Sequence, residues 1–375
     1  MIFEDTNFLY KDSVNEYDDF FNMISKIYNR MEDDISRNIF SNRLLLSLTN
    51  NPQYMRRVLE TVKDWYKLYD EISSDKYEIY IYGAGKRGKR LIDMFPEIKW
   101  KALIDKYQTG IYHNCPIIAI KDLLIKQNIK VLISNLNQDA EISEELQSWG
   151  IRTEQIIILN DYDKKFSYDS YFDMNIVGCH MDKNKYFVDA GSYLGEDTEK
   201  YLDIFFNEEK NSTKVVAFEP DADNFIKCKA NLKKYCNVQV RNSALYNADE
   251  PVYMEFGKEE TCNVVSVSEN QIKGESLDTV VGDEPVGFIK MDIEGSEMNA
   301  LEGAKNTIIK QHPILAISIY HKKSDIWKIP NYVLKLNPDY KFYIRHYSAS
   351  FGDVPETNSD LKIGSLSKIF TSISI

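Results

Sequence analysis

A glycine-containing turn between an apolar run and a helix-like segment most constrains this fold. In YFVDAGSYLGEDT the apolar run ends at Asp189, and Gly191 and Gly195 follow. Glycine permits a sharp turn and a close backbone approach, and a helix that begins next presents unpaired N–H groups and a partial positive charge. The turn lacks GK[ST], so a phosphate-cradling nucleotide loop is not expected. The segment predicts a strand, a turn and a helix that receive a carboxylate-bearing ligand.

The same alternation of strands and helices continues toward the C-terminus. The predicted strands are KYFVDAGSY, KVVAFEP, NVQVRNSAL, VGFIKMDIEGSE and HPILAISIY, with helices EDTEKYLDIFF, DADNFIKCKANLKKY and MNALEGAKNTIIKQ between them. This pattern predicts an α/β fold with a parallel sheet whose carboxyl edge forms a crevice. VYMEF and NVVSVS predict an antiparallel hairpin insert, and Ile369–Ile373 a last strand.

Polar side chains stand where these strands end. Asp189 can accept a hydrogen bond from the ammonium group of a cofactor, and Glu219 can accept from both hydroxyls of an adenosine ribose. Asn242 and Ser243 follow the next strand and can contact the edge of an adenine ring. The other predicted cofactor contacts neighbour these positions: Gly191, Ser192, Gly195, Thr198 and Pro220. On these residues alone, NAD and S-adenosylmethionine remain competing cofactors.

Three carboxylates surround the turn in DIEGSE: Asp292, Glu294 and Glu297. They can cap a helix together with Ser296. They can also hold a cationic sulfonium, which makes Asp292 and Glu294 predicted cofactor contacts.

His321 follows the strand HPILAISIY and is the first candidate for a catalytic base, because imidazole accepts a proton near neutral pH. Asp292 is the rival base. Asp292, Glu294 and His321 can alternatively bind a divalent metal, but their spacing alone does not define a ligand set, and no metal ligand is predicted. Arg345 and His346 can orient an acidic or sugar acceptor, although a solvated strand face is the simpler interpretation.

Five segments together resemble the FkbM family of methyltransferases: YFVDAGSYLGEDT, VVAFEPD, ESLDTVV, FIKMDIEGSEMNALEGA and ISIYHKKSDIWKIPNYVLKLNPDYKFYIRHYS. The resemblance runs over residues 186–348. It implies a Rossmann-like class I methyltransferase fold, S-adenosylmethionine as cofactor, and O-methylation of sugars or natural-product hydroxyls. It also implies that Asp189, Gly191 and Gly195 lie at the methionine end of the cofactor, that Glu219 binds the ribose, and that Ser243 lies near the adenine. Asp292 would face the methyl-transfer site.

The C-terminal tail departs from the family pattern. Similar proteins continue after RHYS with an acidic-aromatic strand, whereas this chain reads FGDVPETNSDLKIGSLSKIFTSISI. Contacts between the tail and an acceptor are therefore not assigned.

An earlier unit repeats the strand, turn and helix. Gly83–Gly88 reads GAGKRG, and Asp105 ends the next predicted strand. This context suits a dinucleotide or a nucleotide sugar, and the basic residues Lys86, Arg87, Lys89 and Arg90 suit an anionic ligand. The glycines can equally serve helix–strand packing. By analogy with small domains beside sugar-modifying domains, the unit is expected to bind a nucleotide sugar or to support a homodimer.

Four ranges describe the predicted domain organisation. They are a helical N-terminal region over 1–75, a small Rossmann-like domain over 76–160, a linker over 161–185, and an FkbM-type methyltransferase domain over 186–375. Asn51-Pro52 is expected to separate two N-terminal helices.

The net charge of −12 over 375 residues argues against a nucleic-acid partner, because an acidic chain repels a phosphate backbone. No segment approaches the roughly 18 apolar residues that span a bilayer, and no secretory signal is recognised, so a cytoplasmic protein is expected. The cysteines show no paired CxxC spacing and are expected to be reduced: Cys115, Cys179, Cys228, Cys236 and Cys262.

The leading hypothesis is an S-adenosylmethionine-dependent O-methyltransferase that acts on a hydroxyl of a carbohydrate, nucleotide sugar or related metabolite. One alternative is an NAD-dependent nucleotide-sugar oxidoreductase centred on Gly83–Gly88, against which stands the absence of a Tyr-x-x-x-Lys pair. The other is a non-catalytic binding protein with a degenerate methyltransferase domain.

Overall fold

The computed structural model describes residues 14–135, 138–164, 171–178, 181–208, 210, 212–256, 262–265, 271–347 and 368–371. The chain divides into two compact units. The larger unit holds residues up to Phe40, Tyr168–Arg345 and the last strand, and the smaller unit holds Ser41–Ser167 and the stretch that starts at His346. The four predicted domain ranges stay a prediction. No helix in the described ranges has the length and apolar character that crossing a membrane requires.

From residue 14 onward, four helices precede the first sheet: α1 (Val14–Tyr28), α2 (Asp34–Thr49), α3 (Pro52–Leu59) and α4 (Trp65–Ile72). The break expected at Asn51-Pro52 is confirmed. Pro52 is the first residue of α3, where its missing N–H costs nothing, and the Asn51 side chain accepts a hydrogen bond from Gln53 N at 3.0 Å.

The smaller unit contains a six-stranded sheet of order β3-β4-β2-β1-β5-β6, parallel except for β3. Its strands are β1 (Glu78–Tyr82), β2 (Trp100–Ile104), β3 (Gly110–Tyr112), β4 (Cys115–Ile118), β5 (Ile129–Ile133) and β6 (Ile156–Ile158), with helices α5 (Lys86–Met94) and α6 (Asp139–Ser148). Short 3₁₀ helices lie at Ile120–Asp122, Thr153–Gln155 and Leu159–Tyr162. The strand, turn and helix expected around Gly83–Gly88 are confirmed as β1 and α5, and the strand expected before Asp105 is confirmed as β2. The β3–β4 hairpin was not predicted, because its strands are too short to show a period.

The larger unit contains the helix α7 (Met174–Val177) and most of the remaining elements. They are β7 (Tyr186–Ala190), α8 (Glu196–Phe206), β8 (Val215–Phe218), α9 (Ala222–Leu232), β9 (Val238–Arg241), β10 (Ala244–Leu245), β11 (Pro251–Phe256), β12 (Cys262–Val265), β13 (Gln271–Glu275), α10 (Leu277–Val281), β14 (Val286–Met291), α11 (Glu297–Gly303), α12 (Lys305–Gln311), β15 (Ile314–Ser318), α13 (Asp325–Leu336), β16 (Tyr343–Arg345) and β17 (Lys368–Thr371).

The main sheet of the larger unit has the order β16-β17-β15-β14-β7-β8-β9. Only β17 runs antiparallel, between β15 and β16. The first strand of this unit therefore lies near the middle of the sheet, and the order reverses between β7 and β14. This topology confirms the predicted α/β class with a Rossmann-like sheet. The strand expected over Ile369–Ile373 is found at Lys368–Thr371, and the end of the predicted range lies outside the described residues.

A second, four-stranded sheet of order β10-β13-β11-β12 contains the insert. The predicted hairpin is confirmed as the antiparallel pair β11–β12. Strand β13 was not predicted. The single helix predicted over residues 298–311 is wrong, since α11 and α12 meet at Ala304. Gly303 packs against backbone there, and a Cβ on it would lie 1.9 Å from Tyr246 O.

Aromatic rings fill the core beside β7. Phe187 and Tyr201 stack at 4.0 Å, and Phe172 packs 6.0 Å from Phe187 and 5.7 Å from Phe288, measured between ring centroids. Phe172 and its neighbour Tyr171 lie in the range predicted as a linker, and each is 1% exposed. This segment is therefore packed into the core that supports the strand ends.

Candidate active site

The turn after β7 is fixed by backbone contacts with both neighbouring strands. Gly191 N and Ser192 N donate to Phe218 O at 3.1 and 3.0 Å. Gly191 has a φ of +75°, and a Cβ on it would lie 2.0 Å from Asp292 O. Glycine is required here because the loop after β14 crosses directly over this position.

Gly195 ends the turn as the N-cap of α8, with a φ of +89°. A Cβ on it would lie 2.8 Å from the Leu232 side chain, so glycine also allows α9 to approach. Ser192 is 3% exposed, and its hydroxyl lies 3.5 Å from Cys228 Sγ. The turn thus carries small, buried polar groups next to the start of α8.

Asp189 is fully buried below the turn, and both of its carboxylate oxygens accept hydrogen bonds. Thr198 Oγ1 donates at 2.7 Å and Lys290 Nζ at 2.9 Å. Lys290 Nζ also donates to Gly191 O at 2.7 Å and lies 3.3 Å from Asp197 Oδ2. Burial opposes the charge on Lys290, but Asp189 and Asp197 outweigh it and raise the pKa of the ammonium above its usual value. The Asp189–Lys290 pair therefore holds the turn in place.

Sequence reasoning missed Lys290, although a signal existed. A lysine inside the apolar run VGFIKM cannot face a core unless a carboxylate accompanies it. The predicted contact between Asp189 and a cofactor ammonium stays a prediction.

Glu219 follows β8 and is 5% exposed. Its Oε2 accepts from Tyr193 N at 2.8 Å and its Oε1 from Asp221 N at 2.9 Å. Burial raises the pKa of this carboxyl to about 7, because few donors compensate for its lost hydration. Asn242 Nδ2 donates to Glu219 O at 3.0 Å and to Pro220 O at 3.1 Å. Hydrogen bonds thus join the loop with the predicted ribose contact, Glu219, to the loop with the predicted adenine contact, Asn242.

Ser243 belongs to a buried ion-pair network that the sequence did not reveal. Its hydroxyl donates to Glu275 Oε2 at 2.6 Å, and Arg241 donates to the same carboxylate through Nε at 2.7 Å and Nη2 at 2.6 Å. The hydrogen bonds from Arg241 outweigh burial and lower the pKa of Glu275 to about 2. Glu275 ends β13, the strand that was not predicted, so its pairing with Ser243 required the tertiary structure.

Asp292 follows β14 and is held by two tyrosines. The hydroxyl of Tyr171 donates to its Oδ2, and that of Tyr320 donates to its Oδ1 at 3.0 Å. Tyr171 also lies 3.4 Å from Ser318 Oγ. The Asp292 side chain is 20% exposed, so it is fixed in orientation while it remains accessible.

His321 is surrounded by carboxylates, and its side chain is only 5% exposed. Its Nδ1 lies 3.0 Å from Glu297 Oε1, and its Nε2 lies 3.6 Å from Asp292 Oδ1 and 3.7 Å from Glu294 Oε2. Burial alone would lower the pKa of His321, but Glu297, Glu294 and Asp292 raise it well above its usual value. The structure thus brings both predicted catalytic residues together, and their catalytic roles stay predictions.

The acidic turn is organised by Glu297 rather than by Ser296. Glu297 is 1% exposed, and its Oε1 accepts from Ile293 N at 3.1 Å and Gly295 N at 3.4 Å. Ser296 occupies the N-cap of α11 without a side-chain capping bond. Glu294 adopts a φ of +54°, which turns its carboxylate toward His321. Glu297 therefore holds the loop before α11, since Ile293 N and Gly295 N both precede the helix.

The turn of the smaller unit is closed by its own side chains. Asp105 Oδ2 accepts from Ala84 N at 2.9 Å, and Oδ1 accepts from Tyr107 N at 2.9 Å. A Cβ on Gly88 would lie 1.9 Å from Gly83 O, so this glycine serves packing. Binding of a nucleotide sugar there stays a prediction.

Arg345, which the sequence offered as an acceptor contact, has a structural partner. Its Nη1 donates to Asp33 Oδ1 at 3.2 Å. His346 is 3% exposed. Cys115 and Cys228 are buried free thiols, and Cys179 and His180 lie outside the described residues.

Comparison with known proteins gives a family for this part of the chain. Residues 189–354 match the model of the methyltransferase FkbM domain. The chain is also similar to methyltransferase FkbM from Methylobacillus flagellatus KT, at 17% identity over 90% of this chain and 99% of that one, with a TM-score of 0.46. An rRNA methylase from Streptococcus thermophilus matches at 17% identity over 56% of this chain and all of that one, with a TM-score of 0.34.

A SAM-dependent O-methyltransferase from Thermotoga maritima matches at 10% identity over 62% of this chain and 72% of that one, with a TM-score of 0.30. No curated protein matches the chain. The match to the family model assigns residues 189–354 to the FkbM methyltransferase family.

Proposed function

We propose that this chain is an S-adenosylmethionine-dependent O-methyltransferase whose acceptor is a hydroxyl of a carbohydrate, a nucleotide sugar or a related metabolite. The observation that carries the proposal is the convergence of three loops at one sheet edge. Gly191, Glu219 and Asp292 follow the adjacent parallel strands β7, β8 and β14, and backbone hydrogen bonds join the loops. Ligands of open α/β sheets bind at this edge, where the strand order reverses.

Glu219 is the proposed ribose ligand. A carboxylate has about four lone-pair sites, and the two backbone donors on Glu219 leave sites for both ribose hydroxyls. Its burial favours this role, because a ligand that donates two hydrogen bonds would replace the missing water. Asn242 and Ser243 would then border the adenine.

The turn from Gly191 to Gly195 is the proposed site of the methionine end. The first turn of α8 presents N–H groups to a carboxylate. Asp189 is proposed to act through Lys290. Its carboxylate positions the Lys290 ammonium, which donates to Gly191 O and so fixes the turn that receives the ligand.

Methyl transfer itself is an in-line displacement. A lone pair of the acceptor oxygen forms a bond to the methyl carbon, and the carbon–sulfur bond breaks so that its electrons return to sulfur. The hydroxyl proton then passes from the oxygen to a base, for which Asp292 and His321 are the proposed candidates. The enzyme needs to align the oxygen, exclude water and stabilise the cation that reacts. Asp292 is proposed to face the sulfonium, and His321 Nε2 lies 3.6 Å from Asp292 Oδ1.

The acceptor class rests on the family resemblance and on charge. A net charge of −12 disfavours a phosphate backbone as the substrate. Carbohydrate hydroxyls carry no such penalty.

Calorimetry with the two competing cofactors tests this proposal. We expect S-adenosylmethionine to bind one site per chain and NAD to produce no heat. Binding of NAD alone would overturn the proposal in favour of an oxidoreductase. A screen of sugar nucleotides and glycan fragments with a radiolabelled methyl donor then identifies the acceptor, and label in an amine rather than a hydroxyl would contradict O-methylation.

A further inference from the structure

Three side chains converge beside the proposed transfer position from two different loops. Asp292 and Glu294 follow β14, and His321 follows β15. One oxygen or nitrogen atom of each lies within 4.8 Å of the others. We propose that Asp292, Glu294 and His321 bind one divalent metal ion. The site stands on its own geometry, and only the use of the metal to orient an acceptor oxygen rests on the proposed function.

The position of His321 Nε2 is the first support. It lies 3.6 Å from Asp292 Oδ1 and 3.7 Å from Glu294 Oε2, which is beyond hydrogen-bonding length. Among the described residues Nε2 has no hydrogen-bond partner, although only 5% of the His321 side chain is exposed. A buried polar atom is normally paired. Ligands bonded at about 2.1 Å to one ion stand roughly 3.0–3.5 Å apart, so a small movement of each side chain would complete the set.

The groups behind these three side chains are the second support. His321 Nδ1 lies 3.0 Å from Glu297 Oε1, which is an ion-pair distance without the alignment of a hydrogen bond, and Glu297 is itself 1% exposed. A small rotation of the ring would align the two, and a carboxylate on the far nitrogen orients a metal-binding histidine. Asp292 likewise accepts from the hydroxyls of Tyr171 and Tyr320. Ligating carboxylates in proteins are held by hydrogen bonds of this kind.

The donor set limits the type of ion. Two carboxylate oxygens and one imidazole nitrogen suit first-row divalent ions such as Mn²⁺ or Zn²⁺, whereas thiolate-seeking ions lack a sulfur ligand here. Three protein ligands leave coordination positions open. An acceptor hydroxyl that occupies one of them would be oriented toward the methyl carbon.

A competing account needs no metal. His321 can be a protonated imidazolium held between Glu297, Glu294 and Asp292, with the same distances. The two accounts differ in metal affinity, since the ion-paired arrangement gives no reason for a stoichiometric site.

The experiment uses the full chain after chelation and dialysis, titrated with Mn²⁺ while the free ion is followed by electron paramagnetic resonance. We expect one Mn²⁺ per chain, and we expect His321→Gln and Glu294→Gln each to weaken binding at least tenfold. Asp283→Asn removes an exposed acid after α10 and should leave Mn²⁺ binding unchanged. Absence of binding at millimolar Mn²⁺, or equal binding by the wild type and both ligand variants, would overturn the metal site.

Two further readouts keep the test decisive if a variant fails to fold. Mn²⁺ should raise the Tm of the wild type in a concentration-dependent way, because a ligand of the native state stabilises it. Glu297→Gln should weaken Mn²⁺ binding roughly 10–100-fold while all three ligands remain. Unchanged values in both measurements would argue for the imidazolium account.

The same preparations separate this inference from the proposed function. If the chelated protein binds S-adenosylmethionine but never Mn²⁺, the metal site is refuted and the methyltransferase proposal stands. If it binds Mn²⁺ but not S-adenosylmethionine, the reverse holds.

Discussion

The two units each contain a strand, a glycine turn and a helix, yet the residues around the two turns differ. In the smaller unit the acid that ends the next strand, Asp105, accepts hydrogen bonds from Ala84 N, Tyr107 N and Gln108 N. In the larger unit the corresponding Glu219 is 5% exposed, and burial raises its pKa to about 7. The Asp105 carboxylate is bound by backbone N–H groups of its own turn, whereas the buried Glu219 carboxylate has fewer hydrogen-bond donors.

The strand on the other side of each turn differs as well. In the smaller unit β5 is followed by Ser134 and Asn135, and a Cβ on Gly83 would lie 2.7 Å from Asn135 Oδ1. In the larger unit the adjacent strand provides Lys290 and the loop with Asp292. A glycine turn alone therefore does not identify a binding site. We propose that the charges on the neighbouring strand ends distinguish the turn that binds a ligand.

The largest difference in stability between the two units is expected when a buried lysine is replaced in each. Lys290→Met would leave the fully buried Asp189 without its cation and should lower the free energy of unfolding of the larger unit by about 3–5 kcal/mol. Lys63→Met in the smaller unit should cost less, because its partner Asp163 keeps 26% of its side chain exposed and stays hydrated. Urea unfolding followed by circular dichroism measures both. Equal losses would contradict the proposed importance of the Asp189–Lys290 pair.

Alanine at one glycine of each turn should give the next largest difference. Gly191→Ala forces a Cβ within 2.0 Å of Asp292 O at a φ of +75°, and should cost about 2–4 kcal/mol of unfolding free energy. Gly85→Ala meets no atom within 4 Å at a φ of −73°, and should change stability by less than about 1 kcal/mol. Thermal unfolding of the two variants compares them directly. A well-folded Gly191→Ala protein with wild-type Tm would show that the loops are not packed as described.

Proton linkage at Glu219 should give a smaller but specific effect. Its folded pKa of about 7 exceeds the ordinary value of about 4.3, so the protonated form stabilises the unliganded fold, and this contribution is lost as pH rises through 7. Ribose hydroxyls donate to the ionised form. The affinity for S-adenosylmethionine should therefore fall by up to about tenfold for each pH unit below 7 and level off above it.

Calorimetry from pH 5.5 to 8.5 checks this linkage, with Glu219→Gln as the non-titrating variant. Asp105→Asn is the matched control, and it should retain the pH dependence of the wild type. A flat wild-type profile would show that Glu219 does not meet the ribose.

Much of this architecture could be predicted, because apolar runs that end in a polar residue mark buried parallel strands. That pattern located β7, β8 and β14 and placed Asp189, Glu219 and Asp292 at one edge. It could not locate β13, whose residues alternate weakly, and so the pairing of Glu275 with Ser243 and Arg241 was missed.

Contacts between residues far apart in the sequence could not be predicted either. Tyr171 binds Asp292 across 121 positions of the sequence, and no local period records such a contact. Lys290 differs, because a charged residue in the middle of an apolar strand already indicates a buried partner. The role expected for Ser296 failed for a physical reason: Glu297 supplies the acceptor for the N–H groups of the turn.

Calorimetric titration of S-adenosylmethionine into Glu219→Ala and Asp105→Ala distinguishes the two turns, since each variant removes the strand-end acid of one of them. We expect Glu219→Ala to weaken binding at least a hundredfold and Asp105→Ala to bind as tightly as the wild type. Loss of binding in Asp105→Ala with full affinity in Glu219→Ala would place the cofactor in the smaller unit and refute the site proposed at the carboxyl edge of β7, β8 and β14.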